Sequence, residues 1–178
     1  SKVDTITRAI NILGFDEVHD LVLATSVIDS FSGFSNDYFS LYDFWYDGVY
    51  CAVTSNILAF NCKDLNTERS FVAGLLHNIG HLITYQNIPE ESQAAQEKAT
   101  RENIRLYLAE REILGCDYAQ VGAELMRQWK LPESLQEITE FQNEPERAFD
   151  YRFETAIIHI ALNITKNAIA NIPISPDT

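Results

Sequence analysis

Leu75-Leu76-His77-Asn78-Ile79-Gly80-His81 places two imidazoles and an amide directly after an apolar helical run. Histidines at i and i+4 share a helical face and can hold one metal ion, as in H-E-x-x-H zinc sites. Asn78 stands where such a site carries its general-base Glu, and no third ligand is evident nearby, so the string lacks the parts of a zinc hydrolase. The alternative is a buried, hydrogen-bonded His77 with His81 nearer the surface. Gly80 inside a helix costs about 1 kcal/mol relative to alanine. Its presence predicts that another backbone, or an aromatic ring, packs against it.

Working outward, Asn66 or Thr67 caps the helix that carries Phe71, Leu75 and Ile79; the helix is expected to run past Gly80 toward Tyr85, with Pro89 closing the region. Before it, Ser40 opens a long helix to about Phe60, with Asp43 placed like the acidic member of a capping box. At the start of the chain, Ile6, Ala9, Ile10 and Leu13 follow helical spacing and stop at Gly14. A second helix follows from Asp16 with Val18, Leu21, Val22, Thr25 and Ile28 on one face, and residues 32–40 read as a loop pinned by aromatics. From Glu90 to about Glu112 the chain is polar and reads as helix, with Ile104, Tyr107 and Leu108 as an apolar seam. Glu110-Arg111-Glu112 reads there as a solvated helix end. Gly115 ends that segment, and Asp117 with Gln120 marks a new N-terminus, followed by Val121, Gly122, Leu125 and Trp129. Lys130-Leu131-Pro132 separates it from a helix whose Leu135, Ile138 and Gln142 share a face. A last helix is expected from about Phe149 to Ile172, with Phe153, Ala156, Ile157, Ile160, Ala161 and Ile164 inward. No strand pair, internal repeat or phosphate-binding glycine loop is visible, so the fold class is all-α, about seven or eight helices.

The chain has 178 residues, of which 46% are hydrophobic, enough to bury a core as one domain spanning residues 1–178. Its net charge of −13 repels phosphate backbones and anionic lipid, which argues against direct nucleic-acid binding and membrane docking. No apolar run reaches the length of a membrane span and the first residues lack a signal-peptide stretch, so the sequence reads as cytoplasmic. Cys51, Cys62 and Cys116 are scattered, without a C-x-x-C pair, and read as reduced thiols rather than a disulfide or zinc framework. Trp45 and Trp129 read as core aromatics, His159 as a structural histidine, and Glu124 as a neighbour of Arg127.

The flanking motifs extend the central string into a family pattern. They are Thr5-Ile6-Thr7-Arg8-Ala9-Ile10-Asn11-Ile12-Leu13-Gly14, Phe44-Trp45, Phe71-Val72-Ala73-Gly74-Leu75-Leu76-His77-Asn78-Ile79-Gly80, Glu112-Ile113-Leu114-Gly115, Asp117-Tyr118-Ala119-Gln120-Val121-Gly122-Ala123-Glu124-Leu125, Trp129-Lys130-Leu131-Pro132 and Ile157-Ile158-His159-Ile160-Ala161. In this order the sequence resembles an HDOD domain, the HD-related output domain of bacterial signalling proteins and a relative of HD-type metal phosphohydrolases. The resemblance implies a compact, HD-like helical bundle. Such domains usually carry further helices before the segment at Thr5, so the chain is expected to lack leading helices and to leave Ile6, Ile10 and Leu13 exposed or buried against a second copy.

The resemblance also implies a site. Active HD enzymes hold divalent metal with a His, a His-Asp doublet and a distant Asp, because such ions need neutral imidazoles and anionic oxygens. Laid on this sequence, the first His falls near Asp47, the doublet at His77-Asn78, further histidines near Tyr118 and around Phe141-Gln142, and the distant Asp near Asn163. Only His77 keeps its type. Neutral amides replace two carboxylates, and Tyr118 carries a protonated phenol near neutral pH. Asp47, His77, Asn78, Tyr118, Gln142 and Asn163 are therefore expected to form a vestigial cavity without metal or cofactor, in which Asp47 pairs with His77. The function expected is a non-catalytic regulatory or protein-interaction module in bacterial signal transduction. Its partner would be a protein, an adjoining signalling domain or a second copy. The alternatives are a residual metal-dependent phosphohydrolase of a nucleotide or cyclic dinucleotide, and a small-ligand sensor that uses the old cavity.

Overall fold

A computed structural model describes residues 40–62 and 65–170, with side chains described through residue 168. Over these residues the chain forms eight α-helices and one 3-10 turn, and no strand. The readings at Thr5 to Gly14, Asp16 to Ile28 and the loop at 32–39 lie outside the described residues.

Helix α1, Leu41–Phe60, starts at the expected place: the Ser40 side chain accepts the Asp43 backbone N–H at 3.2 Å. Its buried face is made of small residues, Gly48, Cys51, Ala52, Ser55 and Ala59, behind Phe44. Helix α2, Thr67–Leu76, is capped by Asn66 and meets α1 along that face. The two backbones nearly touch at Gly74, where a Cβ would fall 2.7 Å from the Ala52 Cα. Ser55 stitches the crossing by donating its hydroxyl to the Ser70 carbonyl at 2.8 Å.

The expected helix through Gly80 is broken. α2 ends at Leu76, and after a turn at His77 and Asn78 a new helix, α3, runs from Ile79 to Asn87. The break has a visible cause, because the Gln142 amide N–H donates to the His77 carbonyl at 2.7 Å and takes up an acceptor that a continuous helix would use itself. Gly80 opens α3 against α6, where a Cβ would fall 1.9 Å from the Tyr118 carbonyl oxygen, so the expected close approach is backbone on backbone.

Pro89 starts α4, Pro89–Glu102, instead of ending the region, in keeping with proline's tolerance of the first helical turn. The polar segment is then two helices, because Asn103 adopts the left-handed conformation at φ 51° and α5 runs from Leu106 to Leu114. Gly115 ends α5 at φ 80°. Asp117 and Gln120 form the expected capping box of α6, Tyr118–Gln128. Lys130, Leu131 and Pro132 separate α6 from α7, Glu133–Phe141, and the 3-10 turn Pro145–Arg147 precedes α8, Arg152–Ala170.

One core cluster joins these helices, with Phe44, Cys51, Leu76, Ile79, Leu82, Met126, Leu135, Ile138 and Ile158 at its centre and Trp45 and Trp129 packed against it. The inward face of α8 differs from the expected one. Ile157, Ile158, Ala161, Leu162 and Thr165 are buried, whereas Phe153, Ile160 and Ile164 are exposed. A helix with apolar residues on more than one face leaves its rotation to its neighbours, here α1 and α7.

Candidate functional site

A cavity of about 620 Å³ opens between α1, the break after α2, the α4–α5 turn, the start of α6 and α8. It is lined by five of the six residues that the sequence pointed to: Asp47, His77, Asn78, Tyr118 and Asn163. Gln142 does not reach it. That side chain is fully buried behind the wall, its amide N–H bonded to the His77 carbonyl, while the Gln142 backbone carbonyl meets His159 Nδ1 at 2.8 Å. Asn143 lines the cavity instead, and its Oδ1 accepts the Tyr118 hydroxyl at 3.2 Å.

His77 forms the floor. Its Nδ1 lies 2.7 Å from the Gly74 carbonyl, which can only accept, so Nδ1 carries the proton and Nε2 a lone pair. Burial holds this imidazole neutral, with its pKa pushed down to about 3. The expected pairing of Asp47 with His77 is not formed. Burial raises the Asp47 carboxyl, and the first charge that opposes this is Lys166 on α8. Asn78 sits beside His77 at 5% exposure; its Nδ2 donates to the Phe44 carbonyl at 3.3 Å, and its Oδ1 has no partner. Asn163 donates its amide to the His159 carbonyl at 2.8 Å, one turn back along α8.

These groups do not fit a divalent cation. Amides stand at Asn78 and Asn163, burial raises the Tyr118 phenol further above its usual range, and among the described residues no three His, Cys, Asp or Glu side chains converge as a metal site would require.

Several cavity residues went unnoticed as site residues in the sequence. His81 stacks on Tyr118 with ring centroids 4.1 Å apart, and its Nε2 lies 3.1 Å from Glu110 Oε1. Glu110 also accepts the Tyr118 backbone N–H at 2.9 Å and is only 3% exposed, so the reading of Glu110 and Arg111 as a solvated helix end is overturned. Arg111 instead binds Asp117 at 2.7 Å and grips Glu144 through two N–H groups at 3.0 and 2.9 Å. Arg111, followed by Arg147, holds the Glu144 carboxyl down to about 2. Lys166 and Arg105 complete the rim. Lys166 lies three residues after Asn163, on the same side of α8, and that spacing was the available signal; Arg105, in the α4–α5 turn, carried none.

The HDOD domain matches this chain over residues 1–145. The chain belongs to the HDOD family. Solved structures agree with that fold. A candidate phosphohydrolase from Shewanella amazonensis SB2B is 30% identical with a TM-score of 0.78, covering 97% of this chain and 62% of that one. An HDOD domain protein of unknown function from Geobacter sulfurreducens is 19% identical with a TM-score of 0.77, covering 100% of this chain and 60% of its own. A candidate signal transduction protein from Marinobacter aquaeolei VT8 is 22% identical at a TM-score of 0.77, with coverage of 100% and 41%. The HDOD chain thus spans less than two thirds of the length of each of these structures. No curated protein matches it. Among the described residues no helix is long and apolar enough to cross a membrane.

Proposed function

We propose that this HDOD chain is a non-catalytic regulatory module of bacterial signal transduction that works by binding protein. The observation that carries the reading is the chemistry of the cavity floor. Where a metal-dependent phosphohydrolase needs carboxylates beside its histidine, this chain has Asn78 and Asn163, one bonded to the Phe44 backbone and the other to its own helix. A neutral amide holds a hard cation less strongly than a carboxylate and cannot take a proton from bound water.

Protein binding is supported by the outer face of α1. Tyr42, Val49, Val53, Ile57 and Phe60 are exposed at helical spacing, and α1 carries no lysine or arginine. On a chain of net charge −13, the partner chemistry that fits is an apolar surface edged by basic residues, whose association weakens with added salt. The cavity and the stripe call for separate measurements. Elemental analysis of purified protein should find iron, manganese and nickel far below one per chain, with phosphatase and phosphodiesterase rates equal to those of His77→Ala. Near-stoichiometric metal that disappears in Asp47→Ala or His77→Ala, together with hydrolysis, overturns the non-catalytic reading. For the stripe, Ile57→Glu should leave the melting temperature unchanged and weaken partner binding.

A further inference from the structure

We propose that the cavity beside His77 binds a small organic anion rich in hydroxyl or amino donors, its phosphate or carboxylate held between Lys166 and Arg105 and its polar end by Asn78 and Asn143. The proposal goes beyond the reading of the chain as non-catalytic and does not depend on the protein-binding stripe.

The rim and the floor both carry unmet valence. Lys166 comes from α8 and Arg105 from the α4–α5 turn, both line the cavity, and neither makes an ion pair or side-chain hydrogen bond among the described residues. The two cations repel each other. The Lys166 ammonium is lowered first by burial, is partly supported by Asp47, and is lowered further by Arg105. A group with two anionic oxygens between them would relieve that repulsion and satisfy both, the geometry for which a guanidinium and an ammonium are suited.

At the other end, Asn78 Oδ1 and Asn143 Nδ2 are buried without partners among the described residues, an acceptor and a donor on the same cavity. Leaving such atoms unpaired is costly, so structures rarely keep them without a reason. His77 adds a lone pair at Nε2, and Asp43 and Asp47 supply carboxylates along the α1 wall. The cavity therefore has two signs. Its cationic edge takes the anionic group, and its acceptor-rich wall calls for hydroxyl or amino donors, which a bare inorganic ion lacks. About 620 Å³ is the size of a small-molecule site and far larger than one phosphate requires.

Titration calorimetry and thermal melting with ribose 5-phosphate, citrate, inorganic phosphate and ribose test the proposal. Saturable binding of ribose 5-phosphate or citrate with a raised melting temperature is expected, with no response to ribose. Which of the two binds distinguishes a phosphate from a carboxylate ligand. Lys166→Gln and Arg105→Gln keep a polar side chain on the cavity rim and lose no ion pair among the described residues, so both should fold and each should weaken that binding roughly tenfold or more. Asn78→Ser should weaken ribose 5-phosphate more than inorganic phosphate. Absence of saturable binding by both organic anions overturns the proposal. So does unchanged affinity in the Lys166→Gln/Arg105→Gln double variant, or saturable inorganic phosphate binding as tight as that of the organic anion that binds.

Discussion

Two charged regions flank α6 and are built oppositely. At its N-terminus, Arg111 binds Asp117 and Glu144 while Glu110 binds His81 and the Tyr118 backbone, with each of these charges matched by a donor or acceptor at 2.7 to 3.1 Å. At the rim of the neighbouring cavity, Lys166 and Arg105 have no such partner among the described residues, and there Asn78 Oδ1 is left bare on the floor. The first arrangement is closed and holds α5, α6 and the turn after α7 in place. The second is open among the described residues, which is what the proposed anion would close. Similar residue types are thus paired with one another in one place and left unpaired among the described residues in the other.

The sharpest way to break that contrast is Glu110→Ala. It strips the Tyr118 N–H and His81 of a buried acceptor, and chemical denaturation should show a loss of about 3 kcal/mol. A loss below about 0.5 kcal/mol would place the corner with ordinary surface charge. Asp117→Ala removes both the α6 cap and an Arg111 partner, and about 2 kcal/mol should go in the same measurement.

Acid titration separates the two regions by window. His77 has a folded pKa depressed from 6.5 to about 3, so the unfolded chain binds the proton first and stability falls as pH drops through that interval. Glu144 is depressed from 4.5 to about 2, so its contribution is present above pH 4.5 and lost on further acidification toward 2. Asp117 is shifted the other way by burial and opposes it in sign. Equilibrium unfolding measured against pH should therefore flatten below about 4.5 in Glu144→Gln, and between 6.5 and 3 in a His77→Gln variant that folds. A wild-type curve level from pH 7 to 4 would refute the neutral, buried His77. The smallest effect is expected from Lys166→Met, within about 0.5 kcal/mol of wild type in denaturant, because no ion pair is lost. A larger loss would mean that the rim is structural after all.

Much of the site was legible because the positions of Asp47, His77, Asn78, Tyr118 and Asn163 follow from motifs aligned with a family pattern. Gln142 was misplaced by one residue. Its amide faces the His77 carbonyl while Asn143 faces the cavity, and at a helix end one residue turns a side chain by about 100°. Glu110 was read as solvated because its sequence neighbours are charged. Its burial comes from His81 and Tyr118, 29 and 8 residues away.

Local sequence by itself determined the caps at Ser40, Asn66 and Asp117, the stop at Gly115, the all-helical class and the neutral chemistry of Asn78 and Asn163. Those are decided within one or two helical turns or by residue type alone. Tertiary structure decided where α2 breaks, which face of α8 turns inward, and which charges close on one another. Each of these depends on a partner distant in sequence: Gln142 for the His77 carbonyl, α1 and α7 for the rotation of α8, Glu144 for Arg111. Which polar groups are left unpaired among the described residues follows only after those partnerships are made.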